Sequence, residues 1–375
     1  MTETLDPETI MQRITAFGLP NGEAASARLT IEEELWPQTL VRLRGNKVTG
    51  FAVAGAEAGW LDLSSEQMAE LLEAHRQAML APLAVERGLL ELGTELNREN
   101  VEFVVLKGPA LAHTVYPDPS WRYFGDLDLL VRGEDWERTC TLLANLGYRR
   151  ALPEPRAGFD LRFGKAAEFR HEKGIEVDLH RTLVVGPFGL WIEPEALFEG
   201  TTELPLWNRA FRRLNDTLLQ IHACMHASLG WRPPLKVPVR DVAQVAYCAS
   251  VDWEGLAEQA GRWKLRAVVR HALETASETL AIELPPGAAS VFVERPSRME
   301  RRALEGYVTD RRSRGGTSVN TLAAIPGLRA KFAYIRALIF PGRDFLGARS
   351  GAPQASYMRR WAIPIRWVLH RRRKA

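Results

Sequence analysis

The segment FVVLKGPALAHTVYPDPSWRYFGDLDLLV, from Phe103 to Val131, limits what this chain can fold into more than any other. Its two apolar runs, FVVL and LDLLV, are short and read as buried strands. The second run carries acids where an apolar strand should carry none. Asp126 and Asp128 are two residues apart, so on a strand their carboxylates share one face, about 6.5–7 Å apart, with Leu127 and Leu129 on the other. Such a pair is costly in apolar surroundings unless a cation lies between the two groups. Hard oxygen donors suit Mg2+ or Mn2+. A later β-rich run, GIEVDLH, supplies a third acid, Asp178, in phase with Glu176 and His180.

Lys107-Gly108 lies between the first of these strands and a helix start, PALAHTVY, with proline in its first turn. Glycine lets a ligand approach the backbone, free amides at a helix start attract phosphate, and a lysine adds a point charge for the same anion. An anion-binding turn beside paired carboxylates is the equipment of metal-assisted phosphoryl or nucleotidyl transfer, in which metals clamp the attacking and leaving oxygens.

The surrounding texture sets the fold class. Residues 1–95 read as helical, most clearly from Ser64 or Ser65, either of which can cap the run that follows. Within the core region 96–205, residues 98–185 alternate strand, helix, strand, helix and then a hairpin around Lys173-Gly174, which predicts a small α/β unit with a mixed sheet. The helix EDWERTCTLLANLGY should end at Gly147. Residues 206–288 return to helices, over NDTLLQIHACMHASLG, VRDVAQVAYCAS and WEGLAEQAGRWKLRAVVRHALETASETL, and 289–375 form an Arg-rich, patchily helical end with turns at RGGTS and FPGRD. The expected class is therefore α+β, a small mixed sheet flanked by helical regions.

The pattern LKG…L…YPDP…R…DLDLLV…LGY…H…VDLH resembles the uncharacterised nucleotidyltransferase family of the DNA polymerase β superfamily. The LLQIHACMHASLG…VRDVAQV and ALIFPGRDFL…YMRRW stretches also look like it, so the likeness spans most of the chain. The resemblance implies a polymerase β-like core and transfer of a nucleoside monophosphate from an NTP, with ATP the expected nucleotide, to an acceptor hydroxyl on a small molecule, a peptide or protein, or RNA. It implies that Asp126 and Asp128 bind both metal ions and that Asp178 completes the site where the nucleophile loses its proton. Lys107 and Gly108 would hold the triphosphate, and Arg122 would meet phosphate or developing charge. One departure stands out: better-known superfamily members have Gly-Gly or Gly-Ser where this chain has Lys107-Gly108.

Other residues carry a functional and a bland alternative. His180 could orient a carboxylate or contact substrate, or satisfy a hydrogen bond beside the sheet; His171 could be merely exposed. His222 and His226 share a helical face at a spacing that can bind zinc, but no Glu follows His222, so this is not a zinc-protease motif. With Arg240 and Asp241 they could face substrate from a helical region, or be satisfied inside an interface. Trp231 and Trp263 suit a core better than a base-stacking platform. The end of the chain, 357–375, has seven basic residues, two interleaved tryptophans and no acid, which suits a membrane surface, nucleic acid, an acidic protein or plain solvent. The alternative to an enzyme is a catalytically silent NTP-binding scaffold docked through that tail.

Composition excludes little. The 375 residues are 46% hydrophobic and 25% charged, and the net charge of +3 selects no partner. The N-terminus is acidic and polar, unlike a secretory signal. Cys140, Cys224 and Cys248 lack metal-type spacing, and an odd number in apolar surroundings fits reduced thiols in a cytoplasmic protein.

Overall fold

The computed structural model describes residues 5–20, 27–230, 236–308 and 314–350; the basic stretch 357–375 and Trp231 lie outside them. The N-terminal region is helical as expected: α1 (Pro7–Ala16), α2 (Trp36–Asn46), α3 (Thr49–Glu57) and α4 (Ser65–Arg98). Two short strands, β1 (Leu29–Thr30) and β2 (Leu61–Asp62), pair in parallel between them, a feature with no clear periodic signal. Helix α4 starts as its capping box dictates: Gln67 N–H donates to Ser64 Oγ at 3.2 Å, and Ser64 N–H donates back to Gln67 Oε1 at 2.9 Å.

The core sheet has seven strands: β3 (Phe103–Leu106), β4 (Leu127–Val131), β5 (Arg149–Arg150), β6 (Ala166–Arg170), β7 (Glu176–His180), β8 (Thr201–Leu206) and β9 (Arg209–Leu214), in the order β5-β6-β7-β4-β3-β9-β8. The β4–β7 and β3–β9 pairs are parallel and the rest antiparallel, so the sheet is mixed as expected. The hairpin turns at Gly174, whose φ of 79° suits glycine. The boundary expected at residue 205 falls inside the β8–β9 hairpin, because the sheet continues to Leu214. This hairpin pairs β9 in parallel with β3, a long-range contact that no local pattern announces.

Strand alternation sorts the sheet's two faces. Val105, Leu127, Leu129, Val177 and Leu179 pack with Leu89, Leu92 and Leu96 of α4. Gly93 lets α4 come close: a Cβ there would meet Phe211 Cε1 at 2.6 Å. The opposite face carries Leu106, Leu130, Asp128 and His180, and its apolar members join a core shared with helices from both flanks.

Those flanks are α10 (Asp216–Leu229), α11 (Lys236–Cys248), α12 (Trp253–Arg262) and α13 (Arg266–Leu280), after the short α5 (Gly108–Ala112), α6 (Trp136–Asn145), α7 (Phe159–Phe163), α8 (Pro187–Trp191) and α9 (Pro194–Glu199) of the sheet region. The run WEGLAEQAGRWKLRAVVRHALETASETL, expected as one helix, is two, broken at Lys264 with φ 55° while Trp263 is fully buried. RGGTS, expected as a turn, begins helix α15 (Arg314–Ala324), which follows α14 (Arg298–Val308) and precedes α16 (Leu328–Ile339) and α17 (Arg343–Ser350). Ile10, Ile14 and Phe51 share one core with Val242, Val268 and Leu273, so α1 and α3 pack together with α11 and α13 on this side of the sheet. No described helix is long and apolar enough to cross a membrane.

Candidate active site

The site forms where β4 and β7 run side by side. Their parallel register sets Asp128 beside Asp178, and antiparallel β3 brings Leu106 opposite Asp128, so Lys107 follows directly at the strand end. A ligand atom from each of Asp128, Asp178 and His180 lies within 4.8 Å of the others. Asp126, one residue before β4, stands outside that group, although it lines the same cavity as Asp128. Sequence alone offered Asp126 as the closer companion of Asp128; the parallel pairing brings Asp178 and His180 to it instead.

Asp128 is buried, and its Oδ1 is crowded. Lys107 Nζ lies 2.6 Å away and His180 Nε2 2.7 Å away. Burial alone would raise this carboxyl, but the Lys107 ammonium and the His180 contact outweigh it and hold Asp128 well below the usual carboxylate range. Asp126 shifts the other way: burial and the neighbouring Asp128 charge raise it. Burial works to lower Lys107, yet Asp128 and Asp126 keep its ammonium above the ordinary lysine value. Lys165, at the start of the hairpin, places its ammonium 3.5 Å from Asp178.

His180 has acceptors at both ends, Asp128 Oδ1 at 2.7 Å and the Thr182 carbonyl at 3.0 Å. A neutral ring can donate to only one of them. Burial, then the Lys165 charge, disfavour the imidazolium and lower its pKa. Donation from Nε2 to ionised Asp128 adds to the Lys107 charge in lowering that carboxyl; with a cation seated between the ring and the carboxylates, the ring would donate from Nδ1 to Thr182 instead and offer its Nε2 lone pair to the ion. Three lone-pair donors gathered this closely fit a divalent cation.

The turn opposite differs from expectation in one respect. Helix α5 has only five residues, so its dipole is small and an anion must be met by side chains. Lys107 holds φ 45° and ψ −128°, a conformation that glycine adopts freely and other residues avoid at a cost of ~1–3 kcal/mol. Gly108 is needed for space, since a Cβ would press on the Phe124 ring at 3.3 Å.

Arg122 lines the cavity, but most of its donors are committed. Nε and Nη2 donate to the two oxygens of Asp241 at 2.8 and 2.7 Å, and Nη1 points to the Gly108 carbonyl at 3.5 Å. The Tyr116 hydroxyl also donates to Asp241, at 2.7 Å. Asp241 thus ties α11 to the Lys107-Gly108 turn through Arg122. Arg240 points elsewhere, donating to the Thr15 and Phe17 carbonyls at 2.7 Å each, and fastens α1 to α11.

His226 lines the cavity, and His222 is buried beneath the site with an unpartnered Nδ1. Burial and the Lys107 charge push His222 well below the histidine range and His226 down to about 3. Both are neutral near pH 7. Glu176 pairs with Arg170 at 3.2 Å, and the His171 ring lies tilted against Tyr148 with centroids 4.9 Å apart. Sequence reasoning passed over Lys47, Tyr116, Tyr123 and Lys165. Only Lys165 had a local signal, because hairpin register sets its neighbour Ala166 opposite His180.

A mixed sheet with carboxylates at the head of two parallel strands, facing a lysine-glycine turn, is the architecture of a nucleotidyltransferase. The chain belongs to the family described as uncharacterised nucleotidyltransferase, whose model it matches over residues 32–281. No curated protein matches it. Among solved structures it is similar to an antigenic nucleotidyltransferase-like protein from Paracoccidioides brasiliensis, with 15% identity, 57% of this chain and 97% of that chain covered, and a TM-score of 0.34.

Proposed function

We propose that this protein transfers a nucleoside monophosphate from an NTP, ATP being the expected donor, to an acceptor hydroxyl. The observation that carries this is the convergence of Asp128, Asp178 and His180 within 4.8 Å on adjacent strands, facing Lys107. A bond forms from the acceptor oxygen to the α-phosphorus, the bond to the bridging β-oxygen breaks, and pyrophosphate leaves. Asp126, Asp128 and Asp178, with His180, would hold Mg2+ or Mn2+, which would supply positive charge to the attacking and leaving oxygens. Lys107 exchanges its bond with Asp128 for one to the phosphate chain. Asp178, more exposed than Asp128, takes the acceptor proton. Arg122 holds the turn in place through Asp241, and neutral His226 lets an anion approach without carrying a charge of its own. The acceptor is a small molecule, a protein or an RNA.

The test is pyrophosphate release with each NTP and Mg2+ or Mn2+ in the presence of cell-derived acceptors, with mass spectrometry of the labelled product. Release should depend on the metal and fall at least ~100-fold in Asp126→Ala and Asp128→Ala, the scale of losing electrostatic stabilisation of the transition state. Equal release from all three proteins would remove the metal site. One observation favours a second reading, a silent NTP-binding scaffold: Lys107 and Lys165 already neutralise the carboxylates. Metal-dependent nucleotide binding without any transferred label would select it.

A further inference from the structure

Lys47 belongs to the N-terminal helices, yet it lines the same cavity as Lys107, Gly108, Asp126 and Asp128. It closes α2 with φ 61° and ψ 38°, the left-handed conformation in which a helix usually ends on glycine or asparagine. Its N–H donates to the Arg44 carbonyl at 3.1 Å, and the Val48 N–H donates to that of Leu43 at 3.0 Å. Among the described residues its ammonium meets the Tyr123 ring, 4.4 Å from the centroid, and no carboxylate. Tyr123 in turn lies over Gly125: a Cβ there would sit 2.9 Å from the tyrosine hydroxyl oxygen. One aromatic ring thus carries Lys47 to the turn that bears Asp126.

Lys107 shows the same pairing of a side chain in this cavity with a backbone that favours glycine. Six described non-glycine residues have positive φ, and two of them are the two lysines of this one cavity. A lysine standing where glycine would be more stable, with its ammonium in the cavity, points to that ammonium as the reason. The other basic groups there are engaged, Lys107 with Asp128 and Arg122 with Asp241. Among the described residues, Lys47 is the basic side chain of this cavity that pairs with no carboxylate.

We propose that Lys47 binds the phosphate chain of the nucleotide, so that the N-terminal helices complete the nucleotide site. This rests on the nucleotidyltransferase reading above. A phosphate approaching the cavity would draw the ammonium off the Tyr123 face, a weaker partner than an anion.

The experiment is calorimetric titration of the full chain with inorganic tripolyphosphate and with ATP, GTP, CTP and UTP, all with Mg2+, for wild type, Lys47→Gly and Arg44→Ala. Arg44 lines the neighbouring groove, which Lys47 and Tyr123 also border. Lys47→Gly should keep or raise Tm, because glycine suits the backbone. It should also weaken both tripolyphosphate and the bound nucleotide about tenfold or more, which is ~1.4 kcal/mol. Arg44→Ala should bind as wild type. Unchanged binding by Lys47→Gly while the wild type binds a nucleotide would overturn the role of Lys47 and leave the enzyme reading standing. Loss of the nucleotide with tripolyphosphate retained would overturn the phosphate contact. A lowered Tm in Lys47→Gly would overturn the backbone argument. A wild type that binds neither probe would remove the nucleotide reading and Lys47 with it.

Discussion

Breaking the Arg122–Asp241 pair should cost far more than an ordinary ion pair, because both side chains are almost wholly buried. The side chains are 4% and 0% exposed, and two parallel N–H···O contacts join them. Burial opposes the guanidinium charge, and Asp241 overcomes it, so the Arg122 pKa lies above its ordinary value. Two unit charges ~4 Å apart attract by ~4 kcal/mol at an effective dielectric of ~20. Removing one partner of such a buried pair costs about 3–5 kcal/mol, mostly the penalty of leaving the other charge alone. Arg122→Met leaves Asp241 with only the Tyr116 hydroxyl, and Asp241→Asn leaves a buried guanidinium facing a neutral amide. Each single change should lower stability by ~3–5 kcal/mol. The double change should cost less than the sum by at least ~2 kcal/mol, since no unpaired charge remains. The assay is urea unfolding at 25 °C followed by tryptophan fluorescence, with Tm as a second readout. Additive costs, or single costs under ~1 kcal/mol, would refute the reasoning, because only a solvated pair behaves that way.

Lys107→Ala should destabilise more than Lys107→Gly by ~1–2 kcal/mol in urea, since both lose the ammonium but only alanine keeps the backbone strain; equal costs would contradict the strain. Burial and Asp128 raise the Asp126 carboxyl, so its ionised form opposes folding near pH 7. In EDTA, Asp126→Asn should therefore have a higher Tm than wild type, and it should lose most of the Tm gain that Mn2+ gives wild type; a lower Tm in EDTA would contradict this. His226, lowered from 6.5 to about 3, refuses a proton that the unfolded chain accepts between those values. Stability should fall as pH drops from ~6.5 toward 3, by at most ~1.4 kcal/mol per pH unit for this group and less because its ring lines an open cavity. His226→Gln should flatten that slope, and an unchanged slope would show that the ring is not held neutral.

The legible parts of this protein are those whose causes are local. Strands β3, β4, β6 and β7, a serine cap at 64 or 65 and the turn at Gly174 all follow from periodicity and a few neighbouring residues. The break at Lys264 did not show, because the apolar spacing runs through it and only the packing of buried Trp263 favours two helices. The β9 strand was missed for a similar reason: its alternation is weak, and its pairing with β3 is long-range.

By itself the sequence determined the mixed sheet, the order of the acids along it and the lysine-glycine turn, since a two-residue strand period fixes which side chains share a face. Only the tertiary structure decided which of them meet. Parallel register set Asp178 and His180 against Asp128 and left Asp126 at the rim. The packing of α11 gave Arg122 a partner 119 residues away, Asp241, which takes two of its donors. Tertiary packing also carried Lys47 from the N-terminal helices into the cavity. Contacts of that kind depend on which helices share a core, and that is settled by the burial of the whole chain rather than by any one segment of it.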